Sequence, residues 1–548
     1  MERQKIIDIQ EGQSGNPAYR MARPLTLTIY DGEHIAVVGD NAAGKTRLVE
    51  SLSGVIPVQG TTLRYDFSPS PFRLTSENIK YIAFRDTYDG ADDNYYMQKR
   101  WNHQDIDDDT PTAGALLERA FAAAETGSGR FLDEAARARL HTARAALRDR
   151  LYDMFGLTEL LDKYIISLSS GELRKFQLTR ALMAMPRVLI LDNPFIGLDS
   201  STREQLADLL GTLADSMKLL IILVLPRLDI LPSFITHIIP VDGLDILPKM
   251  PVEDFLSSPL YTSLTSSEYS PCGSTPLATS ESRSEIIRLN SVTIRYGDRT
   301  ILRDLDWVVH EGECWALTGE NGSGKSTLLS LVCADNPQSY ACHIELFGHR
   351  RGTGESIWDI KKHIGYVSPE MHRAYLKNLP ALDIVASGLF DTVGLFMHPS
   401  AEQLENCRRW MEVFGIGEIA DRPYLQLSSG EQRLCLLARA FVKDPDLLIL
   451  DEPMHGLDQR RCTLVKGIID AFIQDPSSLP CSSPAGLSPA GSTLPCPSLP
   501  GSSPAGSSLL SSVRTQSQSP RKTLVMVTHY ESELPSCITH RLTLTRTS

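Results

Sequence analysis

The sequence predicts an α/β fold built twice in one chain, each copy a mostly parallel sheet flanked by helices. Three observations predict it. An internal repeat runs through most of the 548 residues. Each copy carries a glycine-rich loop directly after a short apolar strand. Continuous apolar runs then alternate with helical patterns, as in strands covered by helices on both faces.

The repeat sets the domain organisation. GDNAAGKT, from Gly39 to Thr46, returns as GENGSGKS, from Gly319 to Ser326. LSSGE at Leu168 to Glu172 returns at Leu427 to Glu431, and VLILDNPFIGLD, ending at Asp199, returns as LLILDEPMHGLD, ending at Asp458. Those last two pairs share an offset of 259 residues. LPRLDILPSFITH and THYESELPSCITH, ending at His237 and His540, are 303 apart, so 44 extra residues interrupt the second copy. The tract 476–520 supplies them. It contains SPAG three times, and Ser, Pro and Gly make up 28 of its 45 residues. That composition cannot bury enough apolar surface to offset chain ordering, so disorder is expected there. Residues 243–285, rich in Ser, Pro and Thr, read as a linker. The expected layout is a first domain over 1–242, the linker, and a second domain over 286–548 that contains the insertion.

The strand candidates follow from apolar runs. IAVVG (Ile35 to Gly39) and CWALTG (Cys314 to Gly319) feed the glycine-rich loops. VLILD, LLILD, LLIILVL and LVMVT complete the parallel set. Leu219 to Leu225, the most apolar stretch, is far short of the ~20 residues a membrane span needs, so any service to a membrane runs through a partner. Net charge is −13, which argues against a nucleic-acid partner. Ten cysteines show no CxxC pair and no zinc spacing, as expected of reduced thiols in the cytoplasm. The first residues have no apolar core of the kind a signal peptide carries. The acidic run Asp105 to Asp109 reads as a solvated loop.

The chemistry-bearing residues lie in the repeated segments. GxxxxGK[ST] between a strand and a helix wraps backbone N–H groups around phosphates at a helix N-terminus. Gly39, Asp40, Asn41, Ala42, Ala43, Gly44, Lys45 and Thr46 form one such loop. Gly319, Glu320, Asn321, Gly322, Ser323, Gly324, Lys325 and Ser326, with Thr327 behind them, form the other. Lys45 and Lys325 are placed to reach the β- and γ-phosphates of ATP. Thr46 and Ser326 offer hydroxyls to Mg2+, and Asp192 and Asp451, at strand ends, offer carboxylates to it. The residue that follows differs between copies. Glu452 is a carboxylate placed to polarise an attacking water, whereas its counterpart Asn193 is an amide that cannot accept a proton. His529, after LVMVT, is placed to contact the γ-phosphate or the water. Its counterpart is Pro226.

These motifs resemble those of the ATP-binding-cassette (ABC) superfamily, twice over. The resemblance implies ABC-type nucleotide-binding domains, each with a helical signature subdomain and an antiparallel edge, acting as an ATPase. In that family a signature loop reading LSGGQ closes over the γ-phosphate held by the opposite cassette. LSSGE implies that role for Ser169, Ser170 and Gly171, and for Ser428, Ser429 and Gly430. The cassettes are therefore expected to pair within the chain. GLD at Gly197 to Asp199 and at Gly456 to Asp458 is similar to the family's D-loop. Tyr296 resembles the aromatic that stacks on adenine, with Tyr19 as the candidate in the first copy. The family's Q-loop glutamine is replaced by Phe84 and Pro369. More narrowly, FGHRRGTGESIWDIKKHIGYVS (Phe347 to Ser368), CITHRL (Cys537 to Leu542) and YYMQKRWN (Tyr95 to Asn102) resemble tandem-cassette proteins of molybdate transport, also called photorepair-protein-like. That resemblance implies an energy-coupling role beside an integral membrane permease, in the cytoplasm or at the inner face of the membrane. Two alternatives stay open: an ABC-F-like translation factor, and a regulatory or repair ATPase without a permease.

Overall fold

The computed structural model describes residues 3–84, 111–127, 132–165, 168, 170–228, 231–265, 284–296, 299–375, 377–474 and 521–546. The Ser/Pro insertion, the acidic run at 105–109 and Ser169 lie outside the described residues.

Each copy folds around a parallel sheet made from the apolar runs. In the first, strands lie in the order Asp245–Ile246, His237–Asp242, Ile35–Val38, Leu220–Leu225, Val188–Asp192, Ile79–Ala83. All pairings among the last five are parallel. In the second the order is Ile364–Val367, Leu447–Asp451, Thr523–Val527, Cys314–Gly319, His540–Leu544, again all parallel. Every residue of Leu220–Leu225, Leu447–Asp451 and Thr523–Val527 is buried, as continuous apolar strands require. Each such Leu, Ile or Val contributes ~1.5–3 kcal/mol through removal from water.

The expected antiparallel edge is a sheet of its own. Lys5–Ser14 pairs with Leu25–Tyr30, and Glu285–Tyr296 with Arg299–His310, each hairpin extended by short strands. These sheets pack on one face of the parallel sheets, together with the helices Lys45–Ser53 and Lys325–Val332. A helical subdomain fills the other side. It comprises Ala113–Gly127, Glu134–Phe155 and Ser170–Leu182 in the first copy, and Ala381–Ala386, Ala401–Val413 and Ser429–Phe441 in the second. Trp410, Phe414, Phe441 and Phe472 pack as one aromatic cluster in the second.

One boundary needs correction. The linker expected over 243–285 is structured through residue 265. Asp245–Ile246 and Met250–Pro251 pair with His237–Asp242, and the helices Val252–Leu256 and Pro259–Thr265 follow. Phe255 is fully buried, and Met250, Val252, Leu260, Tyr261 and Leu264 pack on the first domain's core. The burial of those apolar residues outweighs the Ser/Pro bias around them.

The two domains face each other through their loops. Asn41 N–H donates to Asp458 Oδ2 at 2.8 Å, and in the mirror contact Asn321 N–H donates to Asp199 Oδ2 at 3.3 Å. Behind these contacts Arg227 of the first domain pairs with Glu533 of the second, both side chains almost fully buried. Arg227 and Arg203 also lie over the Tyr530 ring, at 4.9 and 4.4 Å from its centroid.

Candidate active site

The glycine-rich loops are built alike. Gly44 and Gly324 adopt φ of +109° and +96°, a left-handed conformation open to glycine, and each caps the helix that follows. Lys45 Nζ donates to the carbonyls of Gly39 at 2.6 Å and Asp40 at 2.8 Å. Lys325 Nζ does the same with Gly319 at 2.7 Å and Glu320 at 2.8 Å. Burial pushes the Lys45 ammonium down to about 8, and lowers Lys325 in the same way. An anion beside either lysine would reverse that shift.

The strand-ending carboxylates face the loop hydroxyls. Thr46 Oγ1 lies 3.4 Å from Asp192 Oδ2, and Ser326 Oγ lies 3.3 Å from Asp451 Oδ2. Tyr81 also donates to Asp192 at 3.0 Å. Burial, and then the charge of Glu452, push the Asp451 carboxyl up to about 7. A deeply buried acid beside a loosely held hydroxyl is an all-oxygen donor set that fits a hard divalent cation.

Beyond the aspartates the copies diverge. Glu452 Oε1 lies 3.1 Å from His529 Nε2, and Oε2 lies 2.9 Å from His455 Nδ1. Burial opposes ionisation of Glu452, but the two imidazoles outweigh it and hold the carboxyl well below the usual carboxylate range. The corresponding residues of the first copy are Asn193, Pro226 and Ile196. The side chains of both corners border one cavity between the domains, of about 50 Å³. That is room for a few waters.

The structure thus brings Glu452 and His529 together, beside Asp451, Ser326 and Lys325. It also adds residues that motif spacing did not single out. His455 is one. Arg433 is another: fully buried, it donates to the carbonyls of Ser368 at 3.0 Å, Asp451 at 2.9 Å and Pro453 at 3.3 Å, and also to that of Glu452. It clamps the strand end that presents Glu452. Its counterpart Arg174 donates to Ile196 O at 3.0 Å and lies over the Phe84 ring. An arginine two residues beyond each LSSGE was the available signal.

The signature residues sit at helix starts. Ser428 caps the helix Ser429–Phe441 in a reciprocal capping box with Glu431. Gly430 packs so closely on the Asn41 amide that a Cβ would collide with it. The second signature therefore abuts the first glycine-rich loop. Ser170 and Gly171 open the helix Ser170–Leu182, and a Cβ on Gly171 would lie 2.9 Å from Thr202 Cγ2. Tyr296 is half exposed at the end of its strand, and its hydroxyl accepts from Asn336 Nδ2 at 3.0 Å. Tyr19, the candidate in the first copy, ends the short helix Pro17–Tyr19 and is likewise half exposed.

A family model described as "ABC transporter" matches residues 22–196 and 302–455. The chain is 34% identical over 527 residues to the ABC transporter ATP-binding protein ModF of Escherichia coli (strain K12), covering 94% of this chain and 92% of that one. It is 29% identical over 511 residues to an uncharacterized ABC transporter ATP-binding protein of Schizosaccharomyces pombe, covering 92% and 91%. Among solved structures it superposes on an archaeal ribosome recycling factor in complex with a ribosomal stalk protein. The TM-score is 0.51 at 15% identity, over 94% of this chain and 85% of that one. At that identity the likeness is one of fold. With two matched domains, two intact glycine-rich loops and a full-length relative, the chain belongs to the ABC transporter family as a tandem-cassette ATP-binding protein and ATPase.

Proposed function

We propose that the two cassettes close on two ATP molecules and that only one of the two composite sites turns over. The competent site joins Lys325, Ser326, Asp451, Glu452 and His529 to Ser169 and Gly171 of the first cassette. The other joins Lys45, Thr46, Asp192 and Asn193 to Ser428 and Gly430. The observation that carries this reading is the Glu452 carboxylate held between two imidazoles, where the first cassette has an amide, an isoleucine and a proline. Glu452 takes a proton from the attacking water as it approaches the γ-phosphorus, and His529 holds the carboxylate beside it. Lys325 and the loop N–H groups stabilise charge on the phosphoryl oxygens. Mg2+, held by Ser326 and Asp451, would neutralise the β- and γ-phosphate oxygens. The other site keeps the same phosphate and cation groups through Lys45, Thr46 and Asp192, and so holds ATP while its partner cycles. Single-turnover hydrolysis by the full chain should consume one of two bound ATP molecules quickly. Equal consumption of both would overturn the asymmetry.

The process served is energy coupling in molybdate transport, with an integral membrane permease as partner and the protein at the inner face of the membrane. The long resemblance from Phe347 to Ser368 and the 34% identity to ModF support it. Among the described residues no helix is long and apolar enough to cross a membrane, so the permease would be a separate chain. Because Phe84 and Pro369 stand in the glutamine position, coupling would use other contacts. Affinity purification of the full chain with ATP should recover a permease. Recovery of ribosomes, or of no membrane protein, would overturn the transport reading and leave the ATPase reading intact.

A further inference from the structure

His455 stands three residues beyond Glu452, where the first cassette has Ile196. The turn between them is held by His455 N–H donating to Glu452 O at 3.1 Å. This folds the imidazole back onto the carboxylate, Nδ1 2.9 Å from Oε2, while His529 occupies Oε1 at 3.1 Å. Each carboxylate oxygen thus has its own imidazole. The His455 contact is a hydrogen bond that fixes Oε2, while His529 Nε2 stands near Oε1 at ion-pair distance without hydrogen-bond geometry, so the orientation of the carboxylate rests on His455. The far edge of the His455 ring meets the other cassette. Gly197 has φ of +69°, and a Cβ there would lie 3.4 Å from His455 Cε1. In the mirror relation Gly456 faces Ile196, with Cδ1 3.8 Å from the equivalent Cβ position. That contact is apolar and reaches no carboxylate. The connection from one cassette's turn to the other's reacting corner therefore exists on one side of the molecule.

We propose that His455 is a positioning residue for hydrolysis, orienting Glu452 toward the attacking water and seated by Gly197 of the opposite cassette. The proposal rests on the reading of Glu452 as the group that activates water. It makes the geometry of Glu452 depend on closure of the two cassettes, because the ring's outer edge is walled by a residue of the other one.

The test is steady-state ATPase kinetics on full-length variants. His455→Ile, which copies the first cassette, should lower kcat about tenfold or more and leave KM for ATP within about twofold, as expected when only transition-state geometry is lost. His455→Asn keeps an N–H donor near the Nδ1 position and should recover most of that loss. Glu452→Gln is measured alongside. If it keeps wild-type activity, the reading of Glu452 fails. If it abolishes activity while His455→Ile stays within about twofold of wild-type kcat, or if His455→Asn is no better than His455→Ile, the positioning role is overturned.

Discussion

In both cassettes the residue after the strand-ending aspartate sits in the left-handed region, at φ +54° for Asn193 and +48° for Glu452. Each backbone N–H donates to the neighbouring strand, to Val224 O at 3.0 Å and to Val527 O at 2.9 Å. The backbones match in kind, and the loop lysines make the same carbonyl bonds in both copies, but the side chains of the corner differ. Asparagine tolerates that backbone better than glutamate does. The second cassette keeps a glutamate on that unfavourable backbone, and the first has an asparagine there. The comparison teaches that two copies can share one frame of glycine-rich loop and strand end and still differ in the side chains that frame presents. ATP bound in the first cassette would then serve to hold the pair together.

The comparison breaks most sharply at Glu452. Glu452→Gln, which imposes the first cassette's chemistry on the second, should reduce hydrolysis by ~10²–10⁴-fold, the usual contribution of a positioned general base. Nucleotide binding should persist, and equilibrium binding of a fluorescent ATP analogue checks it. Retention of more than about a tenth of the activity, a difference under ~1.4 kcal/mol in barrier, would place turnover elsewhere.

Next in size is the buried tie between the cassettes. Glu533→Ala leaves the Arg227 guanidinium buried beside Tyr530 without its carboxylate partner. Breaking a buried pair from one side costs ~3–5 kcal/mol. Thermal unfolding should show a clear loss of stability, largest with ATP present if closure depends on the pair. An unchanged melting curve would mean that the interface does not need it.

A smaller effect is expected in the reverse direction. Asn193→Glu should raise total ATPase activity by less than about a quarter, where a second competent site would double it, because Pro226 and Ile196 supply no imidazole to orient the new carboxylate. Addition of Pro226→His and Ile196→His should raise it further. If the single change were enough to double the number of active sites, the histidines would be dispensable.

The least effect belongs to the insertion. Replacing residues 477–519 with a short Gly/Ser segment should leave turnover within about threefold, since loop-closure cost grows slowly with length. A tenfold loss in a folded protein would tie the tract to the site.

How much of this was legible in advance depends on how far along the chain each contact reaches. The glycine-rich loops, the strand-ending aspartates and the contrast between Glu452 and Asn193 are properties of short contiguous segments. Their spacing along a strand and turn specifies their geometry, so the two aligned copies exposed the asymmetry directly. His529 was found the same way, one residue past an apolar strand. The linker was misjudged because its Ser/Pro content outweighed, on paper, a few apolar residues whose value appears only when Phe255 is buried against the first core.

The sequence by itself determined two ATP-binding cassettes, the order of their elements and the unequal chemistry at their strand ends, because each is written in the identity and local spacing of residues. Tertiary structure alone decided that Asn41 meets Asp458, that Arg227 meets Glu533, and that Arg433 clamps the strand beneath Glu452. It also decided that His455 lies between Glu452 and Gly197. Those contacts join residues from tens to hundreds of positions apart or side chains that double back on a turn. Their partners are set by how two packed bodies close on each other, which no local pattern of residues encodes.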